Sequence, residues 1–212
     1  MIANCEHKFV KDLNLDYVKW EVQTLFIGTF NPSCSISNSA EWFYGRTEKN
    51  MFWNTLGYIY ENNPHLGESK KPTLWVQFCE RNNLAVSDII SEIIHVNLDN
   101  GDDYNNLCKG FSDKKLELYI NNKQHISSNL ESFIAENPHL KKIKNVYFTR
   151  RGINHPWNIL FNPIINICKQ KDIFYSRLIT PGGYNRFQFN ADFPRTPENL
   201  AKLWINNNGF RK

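Results

Sequence analysis

The chain has 212 residues, 41% of them hydrophobic and 14% aromatic, with a formal net charge of +4. That composition supports one folded domain with a substantial core and argues against a disordered chain. No apolar run approaches the ~20 residues a membrane helix needs, the polar start Met1-Ile2-Ala3-Asn4-Cys5-Glu6-His7 is unlike a secretory signal, and the mild basic excess fits either a polyanionic partner or a solvated lysine surface.

Five cysteines, Cys5, Cys34, Cys79, Cys108 and Cys168, lie far apart with no CxxC pair. An odd, scattered set points to reduced thiols in a cytoplasm, not to a disulfide framework or a metal centre.

Residues 1–23 carry no clear period and read as a lead-in that packs against an edge. Thr24-Leu25-Phe26-Ile27 opens a buried strand over about 24–30, broken by Gly28 and by Asn31-Pro32. After a polar loop, Met51-Phe52-Trp53-Asn54-Thr55-Leu56 starts a helix over about 50–60, which Asn62-Asn63-Pro64 stops. A second helix begins at Lys70-Lys71-Pro72, with Leu74, Trp75, Phe78 and Cys79 on one face, and ends at Asn82-Asn83. The β-branched stretch 84–94 is read as a second strand in its first half, a buried helix being the alternative for so short a run.

Residues 97–109 are polar and turn-rich, and a short strand or helix follows Gly110-Phe111-Ser112-Asp113. Ser127-Ser128 can cap a helix to Glu136, with Leu130, Phe133 and Ile134 inward. Val146-Tyr147-Phe148-Thr149 is the third strand. Residues 156–169 look helical, with Pro163 expected to kink or divide the helix. The fourth strand spans 173–179 and ends in Thr180-Pro181-Gly182-Gly183. Thr196-Pro197-Glu198 begins a last helix that runs to about Asn207, with Gly209 as its stop. Apolar strands separated by helices imply a three-layer α/β/α sandwich with a central, mainly parallel four-stranded sheet, residues 1–212 forming a single domain.

The chain lacks GxxxxGK[ST], GxGxxG after a strand, GxSxG and HExxH, which removes support for nucleotide hydrolysis, dinucleotide redox chemistry, α/β-hydrolase activity and zinc proteolysis. It does have a strand ending in Gly28-Thr29-Phe30-Asn31-Pro32, then Trp42-Phe43-Tyr44-Gly45-Arg46, then Asn50-Met51-Phe52-Trp53. It also has Leu84-Ala85-Val86-Ser87-Asp88, Gly110-Phe111-Ser112-Asp113, and a helix and Lys-rich turn feeding a strand between Phe133 and Phe148. In this order, over about residues 24–190, the set resembles the uracil-DNA glycosylase superfamily, closest to its mismatch-specific and hypoxanthine-DNA glycosylase branches. The sequence departs from the family where Thr180-Pro181-Gly182-Gly183-Tyr184-Asn185-Arg186 replaces a Ser-Pro-rich loop, and where Arg46-Thr47-Glu48-Lys49 replaces an H-P-R step.

The resemblance implies metal-free hydrolysis, with no cofactor, of the N-glycosyl bond of a deaminated or damaged base in DNA. The protein's partner would be lesion-containing DNA, single- or double-stranded, and the protein itself is expected to be a cytoplasmic monomer. Such an enzyme flips the base into an aromatic pocket, stabilises the departing base and positions a water. By resemblance Asn50 takes the catalytic place, with Asn31 its rival, since an amide can both hold a water and donate to a base. Asn50 also reads as a helix N-cap and Asn31 as an Asn-Pro turn. Asparagine is roughly one residue in seven, so a single match carries little weight.

Gly28, Thr29, Phe30, Tyr44 and Asp88 would line the base pocket, Phe30 or Tyr44 as the stacking ring. Phe52 and Trp53 read equally as helix core, and Asp88 as a residue bonding neighbouring backbone. Arg46, Arg150, Arg151, His155, Gly182, Gly183, Tyr184, Asn185 and Arg186 would meet DNA, although an exposed Arg pair is also an ordinary solubilising feature and a His before Pro an ordinary turn residue. The same residues fit two alternatives, a non-catalytic nucleobase or nucleic-acid binding module and a hydrolase of a small nucleoside-like substrate.

Overall fold

The structure, a computed structural model, describes residues 2–36, 38–45, 50–99 and 101–212, with Tyr184, Asn185 and Arg186 described as backbone only. In chain order the strands are β1 (Ile2–Glu6), β2 (Thr24–Gly28), β3 (Leu84–Asp88), β4 (Ile90–Asn97), β5 (His125–Ser127), β6 (Asn145–Phe148) and β7 (Phe174–Arg177). The helices are α1 (Phe52–Glu61), α2 (Pro72–Arg81), α3 (Gly101–Asp103, continued as a π-helical stretch Tyr104–Lys109), α4 (Asp113–Asn121), α5 (Leu130–Glu136), α6 (Trp157–Gln170) and α7 (Pro197–Asn208).

The central sheet has four parallel strands in the order β3-β2-β6-β7. Strands β2 and β3 are buried at every position, which is why they read as continuous apolar runs instead of alternating ones. The two-residue period still sorts their side chains. Phe26, Val86 and Tyr147 face a core shared with Phe52, Trp53, Trp75, Phe78 and Trp204 of α1, α2 and α7. Leu25, Ile27, Ala85, Val146 and Phe148 face a second core built with Leu116, Leu130, Ile134 and Phe161 of α4, α5 and α6. Two helical layers therefore cover the sheet, as expected.

Trp53, the centre of the first core, stacks on Trp75 at 5.2 Å and on Trp42 at 5.7 Å. Its indole N–H donates to the Phe43 carbonyl at 2.7 Å, so burial leaves no orphaned donor there. Phe52 and Trp53 are core residues, as one of the two expectations had it.

Several expectations need correction. The lead-in contains β1, which pairs antiparallel with β4; with β5 these make a separate three-stranded sheet in the order β1-β4-β5. The 84–94 stretch is strand throughout, with Ile89 as the joint between β3 and β4. Residues 101–109 are helical, not a turn-rich connection. Of the kink or division expected at Pro163 the division does not occur, and the proline sits inside α6. Its missing N–H costs that helix the bond to the Ile159 carbonyl, and Ile159 is 51% exposed, so water can take that carbonyl instead.

The thiol expectation fails for one pair, because Cys34 and Cys108 are disulfide-bonded. Both segments converge beside the sheet, where the Ile36 N–H donates to the Cys108 carbonyl at 2.8 Å. Cys5, Cys79 and Cys168 are free and buried. No helix among the described residues is long and apolar enough to cross a membrane.

Candidate functional site

The connection from β2 leads through α1 and α2 to β3 on one side, whereas that from β6 leads through α6 to β7 on the other. Loops leaving adjacent parallel strands in opposite directions open a crevice at the carboxyl edge, where open α/β sheets bind ligands. At this edge Gly28 pairs in register with Asp88, and Thr149 directly follows β6 and donates its backbone N–H to the Ile27 carbonyl at 3.0 Å.

Tyr44 crosses that crevice. Its ring stacks on Phe52 at 3.9 Å, and its hydroxyl lies 2.9 Å from Thr149 Oγ1. Thr149 in turn donates to the Ile27 carbonyl at 3.4 Å, which leaves Tyr44 as donor to Thr149. The Tyr44 backbone is left-handed, at φ +56°, a conformation that costs a non-glycine residue about 1–3 kcal/mol and that its surroundings must hold. Burial, reinforced by the Asp88 charge, pushes the hydroxyl well above the ordinary tyrosine range, so the ring presents a neutral O–H.

Gly28 makes the approach of Tyr44 and Asp88 possible. A Cβ at Gly28 would stand 2.1 Å from Asp88 Oδ1 and 2.4 Å from the Tyr44 hydroxyl oxygen, so only glycine leaves room for both. The other Asp88 oxygen, Oδ2, is 2.9 Å from His7 Nε2, with the pair almost fully buried. The Phe9 N–H donates to His7 Nδ1 at 2.9 Å. Nδ1 is therefore the acceptor nitrogen, and Nε2 carries the proton given to Asp88. Phe9, Phe30 and Phe43 box the imidazole at ring separations of 5.4–5.8 Å among themselves and His7. Asp88 thus has a specific side-chain partner, which the sequence reading did not find.

A second polar group adjoins the first. The Thr29 hydroxyl donates to Asp113 Oδ1 at 2.8 Å, and Arg150 donates to Asp113 Oδ2 at 3.0 Å and to Glu117 Oε1 at 3.1 Å. The guanidinium lies 4.1 Å over the Trp157 ring, whose N–H also donates to Glu117 at 3.0 Å. Burial pushes the Asp113 carboxyl up, against the opposing pull of Arg150. The inner wall of the crevice is therefore acidic (Asp88, Asp113, Glu117), with Arg150 as its internal counter-charge.

Asn50 lies two residues before α1 and is not its N-cap, which is Met51; its Oδ1 accepts the Phe52 N–H at 3.0 Å in an Asx turn that leads into the helix. The next residue, Met51, donates its N–H to the Pro181 carbonyl at 3.0 Å, which joins the start of α1 to the loop after β7. Asn31 Oδ1 accepts the Asn38 amide at 2.5 Å, and its carbonyl accepts the Lys8 N–H at 2.6 Å. Phe30 is 4% exposed and packs on His7 and Phe111, so it acts as a wall of the His7 box and presents little open ring.

Arg151 and His155 are exposed, and Gly182 and Gly183 half-buried. Arg46 lies outside the described residues, as do the side chains of Tyr184, Asn185 and Arg186.

The structure adds His7, Asp113, Glu117 and Thr149 to the site. Only Asp113 carried a signal, the Gly-Phe-Ser-Asp run before a helix; His7 lay in a segment without period. Among the described residues no group of three or more His, Cys, Asp or Glu is arranged to hold a metal ion. A hollow of about 390 Å³ between α1 and α7, with Tyr58, Ile205 and Lys212 among its walls, contains none of these groups. No family model matches this chain, and neither a curated protein nor a solved structure matches it.

Proposed function

We propose that this chain is a uracil-DNA glycosylase-like hydrolase that cleaves the N-glycosyl bond of a deaminated or damaged base, of uracil or hypoxanthine type, in DNA. One observation carries the reading. An aromatic ring, a buried carboxylate and a glycine that makes space for both meet at the switch point between β2 and β6 (Tyr44, Asp88, Gly28).

Cleavage of a glycosyl bond develops positive charge on the sugar, and a fixed carboxylate in a water-poor site stabilises that charge. In this reading Asp88 Oδ1 orients the attacking water and faces the sugar carbon, while His7 fixes the other oxygen. Tyr44 offers its ring edge and, its proton being given to Thr149, a neutral hydroxyl oxygen that can accept a base N–H. The resemblance gave the water to Asn50 or Asn31; their amide nitrogens suit base oxygens. Arg151 and His155 supply an exposed polar rim, and Gly182-Gly183 gives a backbone that phosphates can approach closely.

A second reading, a non-catalytic nucleobase-binding module, is favoured by a separate observation. The side-chain carbonyls of Asn50 and Asn31 both accept hydrogen bonds from the protein, which reduces their capacity to hold a water.

Labelled DNA carrying uracil, hypoxanthine or xanthine, in single strands and mismatched duplexes, distinguishes the two. The enzyme reading expects alkali-sensitive cleavage that falls about 100-fold or more in Asp88→Asn, with Asn50→Ala and Asn31→Ala run alongside. Salt-sensitive binding without cleavage of any lesion supports the module. Neither cleavage nor binding refutes both.

A further inference from the structure

Three of the five cysteines, none of which the proposed function uses, meet beneath the loop that follows β2. Cys34 is bonded to Cys108, 74 residues away in sequence, with Cα atoms 4.9 Å apart. From the other side the Cys5 sulfur lies 3.4 Å from the Cys34 sulfur. A disulfide sulfur has no hydrogen, so only Cys5, whose S–H also reaches the Glu6 carbonyl at 3.9 Å, can donate in that contact. Burial is uneven: Cys5 is 0% and Cys108 2% exposed, whereas Cys34 is only partly buried and is preceded by the exposed Ser33. Cys34 is therefore the least buried residue of the three, with two buried cysteine sulfurs within reach, and the side from which solvent-borne reagents can approach the group.

We infer that Cys34 is the shared sulfur of a thiol–disulfide exchange site that reacts with a low-molecular-weight disulfide and passes its bond between Cys108 and Cys5. From the reduced protein, the Cys34 thiolate attacks the disulfide RSSR; a Cys34–SR bond forms, and RS⁻ leaves and takes up a proton. The Cys108 thiolate then attacks the Cys34 sulfur, the Cys34–SR bond breaks, and a second RS⁻ departs. Two protein thiols are oxidised and one RSSR is reduced to two RSH. The internal step is redox-neutral. The Cys5 thiolate attacks Cys34, the Cys34–Cys108 bond breaks, and Cys108 leaves as a thiolate that takes the proton Cys5 gave up.

The exchange transfers a covalent tie from the α3 segment to β1. Cys34 follows Phe30, which packs on His7, Cys108 precedes Phe111 and Asp113, and Cys5 precedes His7, so each disulfide isomer restrains a different segment beside the site. This inference does not depend on the glycosylase reading.

The test uses the full chain, reduced, desalted and exposed to oxidised glutathione, then quenched with acid, alkylated and mapped by mass spectrometry without reduction. The expected course is a glutathione adduct on Cys34, followed by both Cys34–Cys108 and Cys5–Cys34 peptides, with Cys79 and Cys168 remaining thiols. Cys108→Ser should form Cys5–Cys34, Cys5→Ser only Cys34–Cys108, and Cys34→Ser no disulfide, each variant being checked for native circular dichroism. Should Cys108→Ser not fold, the wild-type time course decides alone. Finding only Cys34–Cys108 at every time point, or glutathione on Cys5 or Cys108 in preference to Cys34, overturns the inference.

Discussion

Replacing Gly28 by alanine probes the centre of the crevice with a single methyl group. That methyl would stand 2.1 Å from Asp88 Oδ1, 2.4 Å from the Tyr44 hydroxyl oxygen and 3.1 Å from Tyr44 Cζ, the first two inside any real carbon contact. Neither neighbour is the free end of a flexible chain. Asp88 is tied to the boxed His7, and Tyr44 is both tied to Thr149 and stacked on Phe52. Overpacking of this kind costs about 1–3 kcal/mol, and breaking the Tyr44–Thr149 bond adds about 1 kcal/mol. The sum, about 2–4 kcal/mol, corresponds to a fall in Tm of roughly 5–15 °C for a chain of this size. Urea and thermal unfolding followed by circular dichroism measure it directly. Tyr44→Phe in the same background removes the nearer tyrosine atom, so the two substitutions should be less than additive by about 1 kcal/mol. A Gly28→Ala protein melting within about 1 °C of wild type, or strict additivity with Tyr44→Phe, would refute the packing argument.

Three further outcomes follow from the geometry. Arg150→Lys should destabilise by about 1–3 kcal/mol in urea, because an ammonium reproduces neither the fork between Asp113 and Glu117 nor the stack on Trp157; indistinguishable curves would show that the network contributes nothing. Burial raises the Tyr17 and Tyr44 hydroxyls far above their ordinary value, and those of Tyr60 and Tyr119 above it. The unfolded chain therefore releases protons that the folded one keeps: stability is fully present below about pH 10 and falls as pH rises past it, and an absorbance titration should show these phenols ionising only with unfolding. Thr196→Ala should cost about 1 kcal/mol, since its hydroxyl oxygen accepts the Asn199 N–H at 3.2 Å at the start of α7; a change below about 0.3 kcal/mol would mean that the cap is redundant.

What could be read from the chain alone followed from local chemistry. Thr196-Pro197 and Gly209 announce the ends of α7, where the structure has Thr196 as N-cap and Gly209 left-handed at φ +64°. Lys71-Pro72 and Asn82 bracket α2 in the same way. The apolar runs of β2, β3 and β6 were legible because strands buried on both faces take apolar residues at successive positions, with polar residues such as Thr24, Ser87, Asp88 and Asn145 confined to their ends. By contrast β1 has mostly exposed or half-buried positions and gives no alternation to detect. The helicity of 101–109 was hidden by its Asp, Asn and Gly content, which tertiary packing of Leu107 and Cys108 overrides.

The site divides along the same line. Gly28, Asp88 and the loop after β7 could be placed together from the chain because they end or follow strands, and a parallel sheet collects strand ends at one edge, whereas Tyr44, in the middle of a loop, was singled out only by the resemblance. Their partners could not. The His7–Asp88 bond joins residues 81 apart, Arg150–Asp113 residues 37 apart, and Cys34–Cys108 residues 74 apart. Local sequence determined which segments became strand or helix and which residues stood at the carboxyl edge, because caps, breakers and side-chain periods act over a few residues. The tertiary structure decided which buried polar groups pair, because their partners are selected only when distant segments lose water together and each donor or acceptor must be satisfied by whatever the fold has brought beside it.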